Sequence, residues 1–88
     1  MTSILRLSEQ LSQLEPAQQV GYYRRLVQAT REGLLKTTPV TGHLELHRKG
    51  RPLKAPDRAI LNDDAFVQWD SDTRAYLQLS PYQRRASP

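Results

Sequence analysis

The segment "HLELHRKGRPLK", residues 43–54, holds the side chains of this chain that are best suited to chemistry. In an extended strand, alternate side chains share a face, so His43, Glu45 and His47 would lie on one side, opposite two leucines. Imidazole and carboxylate groups are ordinary metal ligands. Residues two apart on a strand are separated by about 6.6 Å and residues four apart by about 13 Å, so the two histidines cannot share one ion. We therefore interpret "HLELH" as the polar outer face of a half-buried strand, and we expect neither a metal nor a cofactor.

Catalytic groups are scarce in this sequence. The chain has no cysteine, which removes thiolate nucleophiles, disulfides and cysteine-based metal sites. A nucleophile and its base would have to combine a serine or threonine with one of the two histidines, and no flanking motif indicates such a pair. The Gly-containing segments "RKGRP" and "TREG" lack the strand–loop–helix pattern of a phosphate-binding loop. We predict that the protein is not an enzyme.

Charge is distributed unevenly along the chain, whose net charge is +4. Basic residues dominate from Arg24 to Arg58, whereas four aspartates and no basic residue lie between Asp63 and Asp72. A basic surface of this kind suits a polyanion such as duplex DNA, and a neighbouring acidic patch suits a protein partner or head-to-tail stacking of copies. The residues predicted to contact nucleic acid are Arg24, Arg31, Arg48, Lys49, Gly50, Arg51 and Lys54.

The tetrapeptide "KGRP" resembles the AT-hook, a short DNA-binding motif built on Gly-Arg-Pro between basic residues. In that family an extended arginine lies in the narrow minor groove of A·T-rich DNA, and glycine permits the close approach. The resemblance implies that Arg51 is the inserted residue, with Lys49 and Gly50 beside it and Pro52 directing the chain away. It covers about five residues, and it departs from the family pattern because Lys49 replaces the usual arginine and the leading proline is absent.

Two functions follow from these patterns. The first is a small DNA-binding regulatory protein, in which a basic hairpin tip contacts phosphates or the minor groove. The alternative is a small adaptor or inhibitor that regulates a partner protein through a sheet edge, a helix face or the charged hairpin. We expect a cytoplasmic protein without a membrane segment, and its small core makes a homodimer possible.

Hydrophobic spacing predicts two N-terminal helices. Ile4, Leu7, Leu11 and Leu14 recur at helical intervals, which indicates a first helix over residues 3–14. Pro16 fits the first turn of a second helix, predicted over 16–36. Its apolar face would carry Val20, Tyr23, Val27 and Leu34, with Tyr22 and Leu26 beside them.

The remainder of the chain is predicted to form a sheet. Alternation indicates a strand over 40–48, and "DSDT" between two apolar runs indicates a β-hairpin over 65–79. Residues 51–64 fit a return strand, a short helix or a loop equally well. The fold class is thus α+β, with two helices packed on an antiparallel sheet of three or four strands. We place Trp69, Leu77 and Val27 in the core of a domain over 1–80, followed by a flexible basic tail over 81–88.

Overall fold

The computed structural model describes residues 3–79, which form three helices and a three-stranded antiparallel sheet. The elements are β1 (Ser3–Arg6), α1 (Leu7–Ser12), α2 (Pro16–Arg31), β2 (Thr37–Arg48), β3 (Arg51–Asn62) and α3 (Asp64–Leu77). The strands lie in the order β1–β3–β2. The predicted α+β class is confirmed, although one helix follows the strands. The tail over 81–88 lies outside the described residues, and none of the described helices is long and apolar enough to cross a membrane.

The prediction of a helix over residues 3–14 was wrong for its first turn. Ser3–Arg6 pairs antiparallel with the end of β3, from Ser3 opposite Asn62 to Arg6 opposite Ala59. Leu7 and Leu11 are buried on α1 as the helical spacing required. A helix of twelve residues gains little by itself, whereas a free strand edge offers ready backbone partners, so the tertiary pairing decides the structure of the first residues.

Helix α2 begins at Pro16 as predicted but ends five residues earlier than predicted, at Arg31. Gly33 adopts a φ of 78°, its N–H donates to Thr30, and the N–H of Leu34 donates to Ala29 at 2.9 Å. This pair of bonds is the Schellman motif, which stops a helix at a residue that can take the left-handed conformation. The buried face is Tyr22, Leu26 and Ala29, so the predicted face was rotated, with Val27 only half-buried and Leu34 59% exposed.

The hairpin of β2 and β3 confirms the strand predicted over 40–48 and shows that residues 51–62 form the return strand. Its turn contains only Lys49, with a φ of 53°, and Gly50, with a φ of 77°. Two positive φ values in succession define a type I′ turn, whose twist matches that of the flanking strands. The register shifts between Pro39 and His43, which marks a bulge on β2.

The predicted hairpin over residues 65–79 was wrong, because these residues form α3. Asp63, interpreted as a turn residue, is the N-cap of this helix and accepts a hydrogen bond from the N–H of Phe66 at 2.9 Å. The buried residues Phe66, Thr73 and Leu77 are spaced by seven and four, which is a helical interval. The "DSDT" segment lies inside the helix, where Asp70 pairs with Arg74 one turn later.

The core lies between the helices and the sheet. Leu77 is buried as predicted, whereas Trp69 and Val27 are half-buried. Along β3 the buried positions change from odd, at Ala55 and Asp57, to even, at Ile60. The change occurs opposite the register irregularity between Pro39 and His43 of β2, where the twist of the ribbon increases.

A polar network joins α1, α2 and α3 at the edge of the core. The hydroxyl of Tyr22 donates to Asp70 at 2.6 Å, and Asp70 also accepts from Arg74 at 2.9 Å. Arg74 in turn donates to the side-chain oxygens of Gln10 and Gln13. Burial, with the adjacent Asp70 carboxylate, raises the pKa of the Tyr22 hydroxyl well above its usual value of 10.0, so this group remains a donor.

This shift predicts a loss of stability at high pH. Above pH 10 a tyrosine in the unfolded chain loses its proton while Tyr22 in the folded chain keeps it, so the unfolded state binds fewer protons. The free energy of unfolding should therefore fall by up to about 1.4 kcal/mol per pH unit from this residue alone. Urea denaturation of wild type and Tyr22→Phe between pH 8 and pH 11 measures the effect. Tyr23→Phe serves as the control. Above pH 10 the free energy of unfolding should fall less steeply with pH in Tyr22→Phe than in Tyr23→Phe. Equal slopes would contradict the raised pKa of Tyr22.

Candidate nucleic-acid interface

The tip of the β2–β3 hairpin gathers most of the residues predicted to contact nucleic acid. Arg48 and Arg51 lie directly opposite each other as the last pair of the ladder, and Lys49 and Gly50 form the turn between them. All four residues are exposed. Because a two-residue turn holds both strands close together, three cationic side chains leave the hairpin within a few residues of one another.

The cations of the hairpin point in different directions. By strand alternation, Arg48 and Arg51 lie on the face that carries Leu46 and Leu53. Lys54 lies on the other face, where it is the cross-strand neighbour of Glu45. The predicted hairpin set is therefore divided into a tip of three cations, which we call the basic tip (Arg48, Lys49 and Arg51), and a separate Lys54 beside a carboxylate.

The basic tip carries positive charge that the described part of the chain does not neutralise. Within residues 3–79, no carboxylate lies within 4.0 Å of Arg48, Lys49 or Arg51, and the ion pairs of this region involve other cations. Like charges directly opposite on a ladder are destabilising. An anion bound between Arg48 and Arg51 would offset this repulsion, which makes the tip a favourable place for a phosphate group.

The two predicted contact residues Arg24 and Arg31 lie on a different element from the basic tip. Arg24 and Arg31 are exposed on α2, and Arg31 is the last residue of that helix. The end of α2 lies beside the start of β2, where the hydroxyls of Thr30 and Thr37 are 3.1 Å apart. From Thr37, β2 continues for roughly 36 Å at full extension before it reaches the tip at Arg48. Arg31 and the basic tip therefore lie at opposite ends of β2.

The conformation of the tip differs from the one that the AT-hook resemblance implies. In that family the Gly-Arg-Pro core is extended, whereas here Lys49 and Gly50 reverse the chain and place Arg51 opposite Arg48. Gly50 has open space around the position of a Cβ atom, so its φ of 77° alone is the reason for glycine. The Gly-Arg-Pro segment is therefore part of a folded hairpin tip with two arginines side by side.

The face carrying the two histidines is exposed and open. His43, Glu45 and His47 all lie on the surface, and the nearest atoms of His47 and Glu45, Nε2 and Oε1, are 3.9 Å apart. The sequence prediction of a polar outer face is confirmed. Within residues 3–79, no three metal-ligating side chains converge.

Two features of the surface escaped the sequence analysis. The four aspartates of residues 63–72 are not one free patch, because Asp63 caps α3 and Asp70 holds Tyr22 and Arg74. A shallow apolar groove of about 300 Å³ lies between the end of α2 and α3, lined by Leu34, Leu35 and Trp69 among others. The helix-stop signal at Gly33 could have indicated that Leu34 lies beyond the helix and outside its buried face.

Comparisons with known proteins do not indicate a function for this chain. Family models, curated proteins and solved structures gave no match to this chain.

Proposed function

We propose that this chain is a small non-enzymatic DNA-binding regulatory protein that contacts the phosphates of duplex DNA with its basic tip. The observation that supports this proposal most directly is the pair Arg48 and Arg51, held side by side across a tight turn with no carboxylate of residues 3–79 within 4.0 Å. Electrostatic contacts to phosphates supply most of the affinity of a non-specific DNA complex, and arginine binds phosphate through two parallel hydrogen bonds.

The shape of the hairpin also suits duplex DNA. A two-stranded antiparallel ribbon fits the major groove, and a narrow tip with arginines can reach into the minor groove. The turn consists of Lys49 and Gly50, so Lys49 has the only side chain at the end of the ribbon. Its ammonium group can reach a phosphate on a flexible stem. The tip can therefore approach the DNA backbone without displacing the helices.

Replacing Lys49 and Arg51 by alanine should weaken binding to random duplex DNA by about tenfold or more at low salt, because two phosphate contacts are lost. The logarithm of the binding constant should also depend less steeply on the logarithm of salt concentration, with a slope smaller by about 2. Fluorescence anisotropy of a labelled duplex at several salt concentrations measures both quantities. Circular dichroism checks that the double variant remains folded, as expected for exposed residues.

A matched control removes the same charge elsewhere. Arg24→Ala together with Arg31→Ala also lowers the net charge by two, but both residues lie on α2 and not on the hairpin. This variant should lose much less affinity than the hairpin variant. Equal losses would assign the binding to net charge alone and would remove the hairpin from the mechanism.

The second candidate function is the adaptor or inhibitor of a partner protein. Its specific support is the groove of Leu34, Leu35 and Trp69, together with the exposed Leu34 and Val67, since clustered apolar surface marks protein contacts more often than DNA contacts. The same titration decides between the two. If wild type does not bind duplex DNA even at low salt, the DNA proposal fails and this groove becomes the leading interaction surface.

A further inference from the structure

The two long strands of the sheet differ in how well their free edges are protected. In a two-residue hairpin the flanking pair, Arg48 and Arg51, exchanges backbone hydrogen bonds, and bonded and non-bonded pairs then alternate along the ladder. The register places His43, Glu45 and His47 of β2 in non-bonded pairs with β3. The N–H and C=O groups of these three residues therefore point away from β3, toward the outer edge of β2.

The equivalent edge of β3 is blocked by proline. Pro52, Lys54 and Pro56 are the cross-strand partners of those three residues, so their backbone groups point to the β1 side of the sheet. There β1 covers only residues 59–62, and the uncovered part has two prolines, which have no N–H to donate. Proline is a common device against strand addition. The proline of β2, Pro39, lies before the bulge, so residues 43–47 of the outer edge contain none.

No described strand pairs with the outer edge of β2, which is the last strand of the sheet. The edge sequence "HLELH" reads the same in both directions about Glu45. Two copies of such a segment can pair antiparallel about a two-fold axis, with leucine opposite leucine and each carboxylate near imidazole groups of the other copy. With the axis at Glu45, the two carboxylates face each other and imidazole groups of the other copy lie diagonal to them. A register shifted by two residues instead places Glu45 directly opposite a histidine.

We infer that the outer edge of β2 is a homodimer interface, in which residues 43–47 of two copies pair antiparallel to form one continuous six-stranded sheet. The occupant is a second copy because the palindromic segment pairs leucine with leucine and brings each carboxylate beside imidazole groups of the other copy. Leu44 and Leu46 are already buried on the helix side, so the new strand extends an existing core face.

This inference does not depend on the proposed DNA binding, although the two would act together. With the axis at Glu45, the two basic tips would leave the dimer in opposite directions, roughly 30 Å apart along the strands. That separation is comparable with one helical turn of DNA, about 34 Å. The dimer can be tested without DNA, so failure of either proposal is separately visible.

The decisive comparison places proline at two residues that face each other in the same cross-strand pair. Glu45→Pro removes the central N–H of the β2 edge, whereas Lys54→Pro removes an N–H of the already blocked β3 edge. Neither N–H belongs to the β2–β3 ladder. Sedimentation equilibrium over a wide concentration range should give twice the chain mass of 10.1 kDa for wild type and Lys54→Pro. Glu45→Pro should raise the dimer dissociation constant at least about tenfold while its circular dichroism spectrum remains that of the folded chain.

A monomeric wild type across the whole range would overturn the inference, and so would equal weakening by the two proline variants. A second measurement covers a Glu45→Pro variant that fails to fold. Because the chain has no cysteine, a single Glu45→Cys creates one thiol near the axis, where residues opposite each other lie about 5.5 Å apart, within reach of a disulfide. Oxidation should give a covalent dimer from Glu45→Cys and not from Lys54→Cys. Absence of cross-linking in both variants would also overturn the inference.

Discussion

Asp57→Ala should lower the free energy of unfolding by about 3 to 5 kcal/mol, a large fraction of the stability of a chain of this size. Asp57 is only 3% exposed, and its carboxylate accepts three hydrogen bonds. One oxygen accepts from the backbone N–H groups of Ser8 and Arg58, at 3.1 and 2.8 Å, and the other from the hydroxyl of Ser8 at 2.9 Å. Arg6 approaches to 3.6 Å. Alanine would leave these partly buried donors without their partner.

The bond to the N–H of Ser8 also replaces a helix cap. Arg6 occupies the N-cap position of α1 and makes no side-chain capping bond. Asp57, which lies 49 positions after Ser8, accepts the N–H of Ser8 in its place. A carboxylate at a helix N-terminus is also favoured by the helix dipole. Loss of Asp57 should therefore release both α1 and β1, which are joined directly at Arg6 and Leu7.

Two variants make this prediction specific. Asp57→Asn keeps an oxygen for the two N–H donors but loses the second acceptor and the charge, so its loss should be about half as large. Asp64→Ala removes an exposed carboxylate from the first turn of α3 and should change stability by less than about 1 kcal/mol. Urea denaturation followed by circular dichroism gives all three values. A loss at Asp57 no larger than that at Asp64 would show that the buried network adds no net stability.

Asp57 shows which part of the fold the sequence could not predict. Nothing in "KAPDRA" distinguishes a buried capping carboxylate from a turn residue, because its partner Ser8 lies 49 positions away. The same limit applies to β1, where Ile4 continues the helical spacing of Leu7 and Leu11. This segment becomes a strand only because β3 presents a free edge. In both cases a contact between distant parts of the chain decides the local structure, and local propensity does not reveal it.

Local signals succeeded where a turn or helix end depends on a few adjacent residues. Pro16 marked the start of α2, and alternation in "HLELH" marked β2. The prediction of a hairpin over residues 65–79 was wrong because two short apolar runs around "DSDT" match both a hairpin and one helical face. Asp63 fits a turn as well as the start of a helix. For the candidate site, the basic tip was predictable because a lysine and a glycine lie between two strands that end and begin with arginine. The separation of Arg31 from it was not, since that depends on the direction in which β2 leaves α2.

Leu46→Ala should lower the free energy of unfolding by about 2 to 5 kcal/mol, because Leu46 is only 1% exposed and belongs to the main hydrophobic core. Its cross-strand partner Leu53, on the same face, is 43% exposed. Leu53→Ala should therefore lose about 1 kcal/mol or less. Both variants shorten the same side chain on neighbouring strands of one hairpin, so their difference isolates burial from strand propensity. Thermal and urea denaturation measure it, and similar losses would contradict the burial assigned to Leu46.

The burial of Leu46 should also affect DNA binding by the basic tip. Leu46 is two residues from Arg48 and on the same face, so it anchors the last part of the hairpin that is still covered by the core. Beyond it, only the ladder itself supports Arg48, Lys49 and Arg51. If the tip binds DNA as a preorganised unit, Leu46→Ala should weaken DNA binding even at a temperature where the variant is still folded, because the freed hairpin must be ordered again on binding. Leu53→Ala, which leaves that anchor in place, should bind DNA nearly as tightly as wild type, and a larger loss with Leu53→Ala than with Leu46→Ala would contradict this anchoring role.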